Sequence, residues 1–266
     1  MNALLRQGPI RPPSLFLTLS DGPRAFAEQA SLLAHLPWLY RAPRGDGHPV
    51  MIIPGFVGDD AYNKPLCRYL TKLGYHATGW NMGRNIGHGL LDPDVLITRI
   101  NNLFNREGQP VTLIGHSLGG VYAREIARLW PHEVRQVITL ASPFGDHRQR
   151  GSHANLLYRL LSPHGGEDDD ADWSLAPPVP TTAVYTRSDG ILDWRISLQC
   201  GGHERTENIE VHGSHTGLTL NPAVWYLLAD RLAQAPGEWR PFARASWRGL
   251  VYPRPAWQPG ERLGND

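Results

Sequence analysis

The feature that most constrains this chain is a strongly apolar run that leads directly into a glycine-rich turn and then into a helical pattern. The apolar run covers residues 111–114, the turn reads Gly-His-Ser-Leu-Gly at residues 115–119, and apolar residues then recur at helical spacing as far as residue 130. A continuous apolar run of this length predicts a strand that is buried on both faces. The chain must therefore reverse sharply from strand to helix, with a serine at the reversal.

This sharp reversal explains the residue types in the turn. Ser117 would adopt a strained backbone conformation, and side chains at Gly115 and Gly119 would collide across the turn. The N-terminus of the following helix has free N–H groups and a dipole that favour negative charge. The pattern predicts a serine nucleophile at the edge of a sheet. The alternative is a glycine-rich strand–helix turn in which the serine has no chemical role.

The rest of the chain supplies a sheet for this turn. From residue 49 to about residue 233, short β-like runs alternate with helical patterns, which predicts a parallel sheet with helices on both faces. Strands are predicted at residues 50–53, 75–80, 111–114, 134–140, 181–185 and 209–211, and helices at residues 24–36, 62–73, 93–105, 118–130 and 222–232. The predicted organisation is an N-terminal helical, proline-rich extension (1–48), a core (49–235) and a C-terminal tail (236–266).

Two motifs together resemble a known family. The sequence Gly-His-Ser-Leu-Gly-Gly, with Pro54-Gly55-Phe56 after the first core strand, resembles the lipase and esterase branch of the α/β-hydrolase superfamily. It is also similar to the lipase-like domains of membrane-lipid deacylases, and the similarity covers about residues 49–233. The resemblance implies an α/β-hydrolase fold with a mostly parallel sheet of about six strands. It further implies a Ser-Asp-His triad in that chain order, and a short cap formed by the insertion at residues 144–178.

The resemblance places the catalytic base and acid in the loops after the last two strands. His215 follows the last predicted strand and fits the base best, with His212 as the nearest rival. Asp189 and Asp193 both follow the preceding strand and compete for the role of the acid. An apolar pair directly after Asp189 matches lipase-like relatives and favours it as the residue that orients His215.

The resemblance also implies an oxyanion hole and a pocket. The two expected donors are the backbone N–H groups of Phe56 and Leu118. Pro54 stands where the family's His-Gly-x motif has histidine, a departure that leaves the backbone donors unaffected. The expected pocket residues are His116, Trp80, Leu157 and Leu160. The glycine-rich segment 83–87 either fixes the oxyanion loop through Arg84 and Asn85, or lines the entrance, or is only a structural turn.

Composition narrows the function classes. The 266 residues carry a formal net charge of +1 with no basic stripe, which argues against nucleic-acid binding. Cys67 and Cys200 give no disulfide framework, and no segment approaches transmembrane length, so we expect a cytoplasmic protein. The prediction is a serine hydrolase that cleaves small or lipid-like carboxylic esters without metal or cofactor. The alternatives are a thioesterase or acyltransferase with the same triad, and a non-catalytic acyl-binding protein.

Overall fold

The computed structural model describes residues 10–87, 93–145 and 175–259. Their strands are β1 Pro49–Ile53, β2 His76–Gly79, β3 Val111–His116, β4 Val134–Leu140, β5 Thr181–Tyr185 and β6 Thr206–Glu210. Their helices are α1 Leu15–Leu39, α2 Asp60–Leu73, α3 Pro93–Glu107, α4 Leu118–Leu129, α5 Pro222–Leu232 and α6 Arg248–Val251, with 3₁₀ turns at Trp194–Ser197 and Thr216–Leu220.

The six strands form one parallel sheet in the order β2-β1-β3-β4-β5-β6, which confirms the predicted sheet. Alternate residues of β1 face opposite sides of this sheet. Val50 and Ile52 pack in a core with α1, α2 and α5, whereas Met51 and Ile53 pack in a second core with α3 and α4. The direction of strand addition reverses between β1 and β3, and ligand sites in open parallel sheets lie beside such a switch at the carboxyl edge.

Strand β6 differs from its predicted bounds of residues 209–211. It starts at Thr206 and ends at Glu210, and all five of its residues are buried. Glu207 is paired there with Arg231 at 2.7 Å, and the Asn208 side chain donates to the carbonyl of Gln199. Because these buried polar residues interrupt the apolar pattern, the sequence predicted only the end of the strand. His212, the rival of His215 for the role of the base, lies two residues beyond the strand and is exposed.

Helix α1 is much longer than the predicted helix at residues 24–36. It starts after Ser14, whose side chain caps the Leu17 N–H, and it continues through Gly22-Pro23. Proline removes one intrahelical hydrogen bond and disfavours a helix interior, so the sequence indicated a break there. The first turns are held instead by tertiary contacts of the α1 side chains with loops at the carboxyl edge of the sheet, described below.

The tail after residue 236 packs on the core. Phe242 and Tyr252 are buried, and Trp247 contacts Trp38 edge-on with ring centroids 4.9 Å apart. The side chain of Gln258 accepts a hydrogen bond from the backbone N–H of Asn208 and donates one to its carbonyl. The tail thereby covers the open edge of β6, which would otherwise present unpaired backbone groups. Across the described residues, no helix is both long and apolar enough to span a membrane.

Candidate active site

The serine of the glycine-rich turn lies between β3 and α4 in a backbone conformation that L-residues rarely adopt. Ser117 has φ 50° and ψ −122°, and its N–H donates to the carbonyl of Leu140 at 2.8 Å. A methyl group on Gly115 would collide with the backbone of Gly120, and one on Gly119 would lie 2.6 Å from the carbonyl oxygen of Pro54. The turn can therefore form only with glycine at these two positions.

The two loops after β5 and β6 bring a carboxylate and an imidazole together. His215 Nδ1 lies 2.8 Å from Asp189 Oδ2, and both side chains are buried. The other oxygen, Asp189 Oδ1, accepts from the backbone N–H groups of Ile191 at 2.8 Å and Leu192 at 2.7 Å. The carboxylate is thus held on both oxygens, and its charge is directed at the imidazole.

The second aspartate of this loop has different partners. Asp193 Oδ1 accepts from the backbone N–H of Arg195 at 3.1 Å and from its Nε at 2.8 Å, which caps the 3₁₀ turn Trp194–Ser197. Its Oδ2 accepts from the backbone N–H of Arg11 at 3.1 Å. Of the two aspartates that the sequence left in competition, the structure brings Asp189 to His215, whereas Asp193 bonds Arg195 and the backbone of Arg11.

The charge state of His215 is controlled by its neighbours. Burial by itself would lower the pKa of the imidazole, but the charge and hydrogen bond of Asp189, with a smaller contribution from the charge of Asp21, outweigh burial and raise the pKa of His215 above its ordinary value. The N–H at Nδ1 donates a hydrogen bond to Asp189, so in the neutral ring Nε2 carries no proton. That is the tautomer that a general base requires.

His116 connects the serine turn to the loop of His215. Its Nε2 lies 3.0 Å from the carbonyl oxygen of His215, and the two ring centroids are 5.1 Å apart. Burial, with the charge of His215 adding to it, lowers the pKa of His116 to about 3, so this ring is neutral and donates from Nε2. His116 therefore supports the site by holding the loop that contains His215 against the serine turn.

The loop after β1 lies directly against the serine. A methyl group on Gly55 would lie 3.0 Å from Cβ of Ser117, so the backbone that leads into Phe56 passes beside Ser117. The Gly58 N–H donates to the Gly55 carbonyl at 2.9 Å, and Val57 is held at φ 56°. The structure thus brings the segment with Phe56 and the helix start at Leu118 to either side of Ser117.

Comparisons with known proteins agree with this architecture. The family model of the PGAP1-like alpha/beta domain matches residues 83–159, which include the serine turn. Aspergillus fumigatus lipase B superposes with a TM-score of 0.54 at 17% identity over 73% of this chain, which spans only 54% of the lipase. A solved structure of the metagenome-derived lipolytic enzymes LipS and LipT gives a TM-score of 0.52 at 15% identity, covering 71% of this chain and 93% of that one.

The chain has the α/β-hydrolase fold. No curated protein matches it in sequence. In this fold, the carboxyl edge of the sheet between β1 and β3 is where Ser117 and the Phe56 loop lie. The sheet order and the serine turn therefore assign one edge of this α/β-hydrolase-fold protein as its candidate active site.

The glycine-rich segment 83–87 contacts the loop after β1 through Asn85. Asn85 is fully buried, its Nδ2 donates to the Pro54 carbonyl at 2.8 Å, and its backbone accepts from Val57 at 2.6 Å. The Asn85 N–H donates to the Gly58 carbonyl at 2.8 Å, whereas Arg84 is exposed. Of the interpretations left open by the sequence, these contacts favour a segment that holds the loop after β1, and they assign that contact to Asn85.

Asn85→Ala is expected to loosen the loop after β1. Removal of the amide leaves the buried Pro54 carbonyl without its donor and the Gly87 N–H without its acceptor. We expect a loss of about 1–3 kcal/mol in the free energy of unfolding. For the ester hydrolysis predicted from the sequence, we expect a fall of about 10–100-fold in kcat, because displacement of the predicted oxyanion donor at Phe56 would weaken stabilisation of the transition state. Urea unfolding and steady-state kinetics check this, with Arg84→Ala as the control. A kcat equal to that of the wild type would contradict the assignment.

Trp80, Leu157 and Leu160 were also expected to line the pocket. Trp80 is fully buried among the side chains of the α3 and α4 core, and its indole N–H donates to the Gly83 carbonyl at 2.9 Å. This side chain follows the end of β2 and packs under the helices, and its role in lining a pocket stays a prediction. Leu157 and Leu160, like most of the expected cap at residues 144–178, lie outside the described residues.

Helix α1 carries a set of charged residues that were not predicted from the sequence to belong to the site. Asp21, Arg24 and Glu28 lie on one face of the helix, and all three contact the loops that hold Asp189 and His215. Their spacing of three and four residues is the signal that could have identified them, since it places all three side chains on one side of a helix. Because Pro23 suggested that the helix starts later, the sequence did not indicate that Asp21 shares a helix face with Arg24 and Glu28.

Proposed function

We propose that this protein is a serine hydrolase that cleaves carboxylic esters through an acyl-serine intermediate. The observation that carries the proposal is the buried contact of 2.8 Å between Asp189 and His215, at the sheet edge where the strained Ser117 turn lies. A nucleophile, an acid and a base in this chain order on this fold form the arrangement of a catalytic triad. The lipolytic enzymes that share the fold support the same reaction class.

Each residue has a defined step in the proposed reaction. Ser117 Oγ attacks the ester carbonyl carbon while His215 Nε2 takes the hydroxyl proton, and Asp189 stabilises the imidazolium that forms. The backbone N–H groups of Phe56 and Leu118 stabilise the oxyanion, each contributing about 3 kcal/mol. Cleavage of the C–O bond then transfers the proton from His215 to the departing alcohol. Water, deprotonated by His215, hydrolyses the acyl-serine and regenerates the enzyme.

Covalent labelling tests the proposal on the intact protein. A fluorophosphonate probe is expected to add one label per chain, detected by intact mass, and peptide mapping is expected to locate it on Ser117, because an activated serine displaces fluoride from phosphorus. A panel of p-nitrophenyl esters graded by acyl length then defines the acyl group. Absence of labelling and of ester hydrolysis would overturn the proposal. Preferential transfer of the acyl group to added alcohols would instead identify an acyltransferase.

A further inference from the structure

One carboxylate of α1 bridges the two loops that present the proposed acid and base. Asp21 is 2% exposed, and its Oδ2 accepts from the backbone N–H groups of His215 at 2.9 Å and Gly190 at 3.2 Å. Its Oδ1 accepts from the backbone N–H of Thr216 at 3.0 Å. The side chain of Asp21 therefore bonds the residue after Asp189 and, at the same time, the backbone of His215 itself.

Glycines in both loops allow this close approach. A methyl group on Gly190 would lie 2.7 Å from Asp21 Oδ2, and it would also collide with the carbonyl of Leu17 in the same helix. In the other loop, a methyl group on Gly217 would lie 2.7 Å from the carboxylate of Glu28. The close contact between these loops and the acidic side chains of α1 therefore depends on glycine at both positions.

Two further residues of the same helix face reinforce the contact. Arg24 Nη1 donates to the carbonyls of Ser188 at 2.7 Å and Gly213 at 3.3 Å, so it also spans both loops. Glu28 Oε1 accepts from the Ser214 N–H at 2.7 Å. Neither residue bonds His215, so Asp21 differs from both in binding the proposed base directly.

The charge of Asp21 is retained in this environment. Burial by itself would raise its pKa, but the hydrogen bonds from Thr216 and His215, together with the charge of His215, outweigh burial and lower the pKa of Asp21. Asp21 is therefore ionised at neutral pH. The other groups that face the base or its loop are Asp189, the neutral His116, Arg24, Glu28 and the Tyr62 hydroxyl, which donates to the Thr216 carbonyl.

We propose that Asp21 is a positioning residue of the site, whose carboxylate ties the loop carrying Asp189 to the loop carrying His215. The two loops lie beyond the ends of β5 and β6, where ladder hydrogen bonds no longer set their separation. A displacement of about 1 Å at a reacting group can cost about 100-fold in rate. Asp21 acts through His215 and does not contact substrate. The inference rests on the proposed serine hydrolase function.

Asp21→Asn in the full-length chain tests the proposal, because it preserves the shape of the side chain and removes its charge. We expect kcat for a p-nitrophenyl ester to fall about 10–100-fold with KM within about twofold. We also expect the acid limb of the kcat/KM profile to move to lower pH. The reason is that loss of a nearby negative charge destabilises the imidazolium and lowers the pKa of His215.

Two control variants separate positioning from general stability. Glu28→Gln removes one negative charge from the same helix face and should lower the unfolding midpoint, but it should leave the acid limb in place, because Glu28 does not bond His215. Gln29→Ala lies on the exposed side of the helix and should change neither. If Asp21→Asn alters the unfolding midpoint while kcat and the acid limb match the wild type, the residue is merely structural and the proposal is overturned.

A measurement without turnover keeps this inference distinct from the proposed function. The imidazole of His215 is titrated by NMR in the wild type and in Asp21→Asn, and its midpoint is expected to fall in the variant. A wild type that fails to react with fluorophosphonate would overturn the hydrolase proposal, while an unchanged midpoint would overturn the role of Asp21. If Asp21→Asn does not fold, Gly190→Ala serves as the test variant, because its methyl group would displace α1 without changing any charge. An unaltered kcat in Gly190→Ala would overturn the proposal.

Discussion

Replacement of Ser117 by alanine is expected to abolish fluorophosphonate labelling and to lower kcat for ester hydrolysis by about 10⁶-fold. The proposed oxyanion donors, at the backbone of Phe56 and Leu118, would remain in this variant and support a small residual rate. The alanine lacks the attacking oxygen, so no acyl-enzyme can form, and its backbone must still adopt φ 50°. Intact-mass labelling and progress curves at high enzyme concentration check this result.

Ser117→Gly provides a matched control for the strain at this position. Both variants lack the nucleophile, but glycine occupies positive φ without the steric cost of about 1–3 kcal/mol that other residues have there. The glycine variant should therefore unfold at an equal or higher urea concentration than the alanine variant, even though glycine loses more backbone entropy on folding. Retention of labelling in either variant would show that another residue is the nucleophile.

Asp189→Asn is expected to lower kcat by about 10⁴-fold while the fold is retained. The asparagine oxygen can continue to accept from the N–H groups of Ile191 and Leu192, which places its NH₂ group opposite His215 Nδ1. The imidazole must then accept at Nδ1 and carry its proton on Nε2. In that tautomer it cannot take the proton of Ser117. Steady-state kinetics with a p-nitrophenyl ester, together with circular dichroism, check the prediction.

Asp193→Asn is the paired control for this result. Its carboxylate bonds Arg195 and the backbone of Arg11, so its removal weakens a local ion pair but leaves the contact between Asp189 and His215 intact. We expect a small loss of stability and a kcat within a few-fold of the wild type. A large loss in Asp193→Asn with a small one in Asp189→Asn would show that the assignment of the acid is reversed.

The sheet was largely predictable because β1 and most of β3 are apolar runs, and because β-like and helical patterns alternate along the chain. Strands β4 and β5 match their predicted bounds, and helix α5 does as well. Strand β6 was predicted only in part, because its buried Glu207 and Asn208 are satisfied by partners distant in sequence, such as Arg231. A pattern based on hydrophobicity cannot reveal a polar side chain whose burial depends on a residue elsewhere in the chain.

The serine turn was determined by the sequence itself. Strand, glycines, serine and helix are adjacent along the chain, and the close approach of Gly115 to Gly120 lies within the turn, so the residue types of the turn already indicate the geometry of Ser117. The choice between Asp189 and Asp193 could not be made from local sequence. It depends on which carboxylate contacts His215, and His215 lies 26 residues after Asp189. The contact of Asp21 with His215 joins positions 194 residues apart. Only tertiary structure decides such contacts, because the relative placement of a helix and two loops follows from packing across the whole sheet.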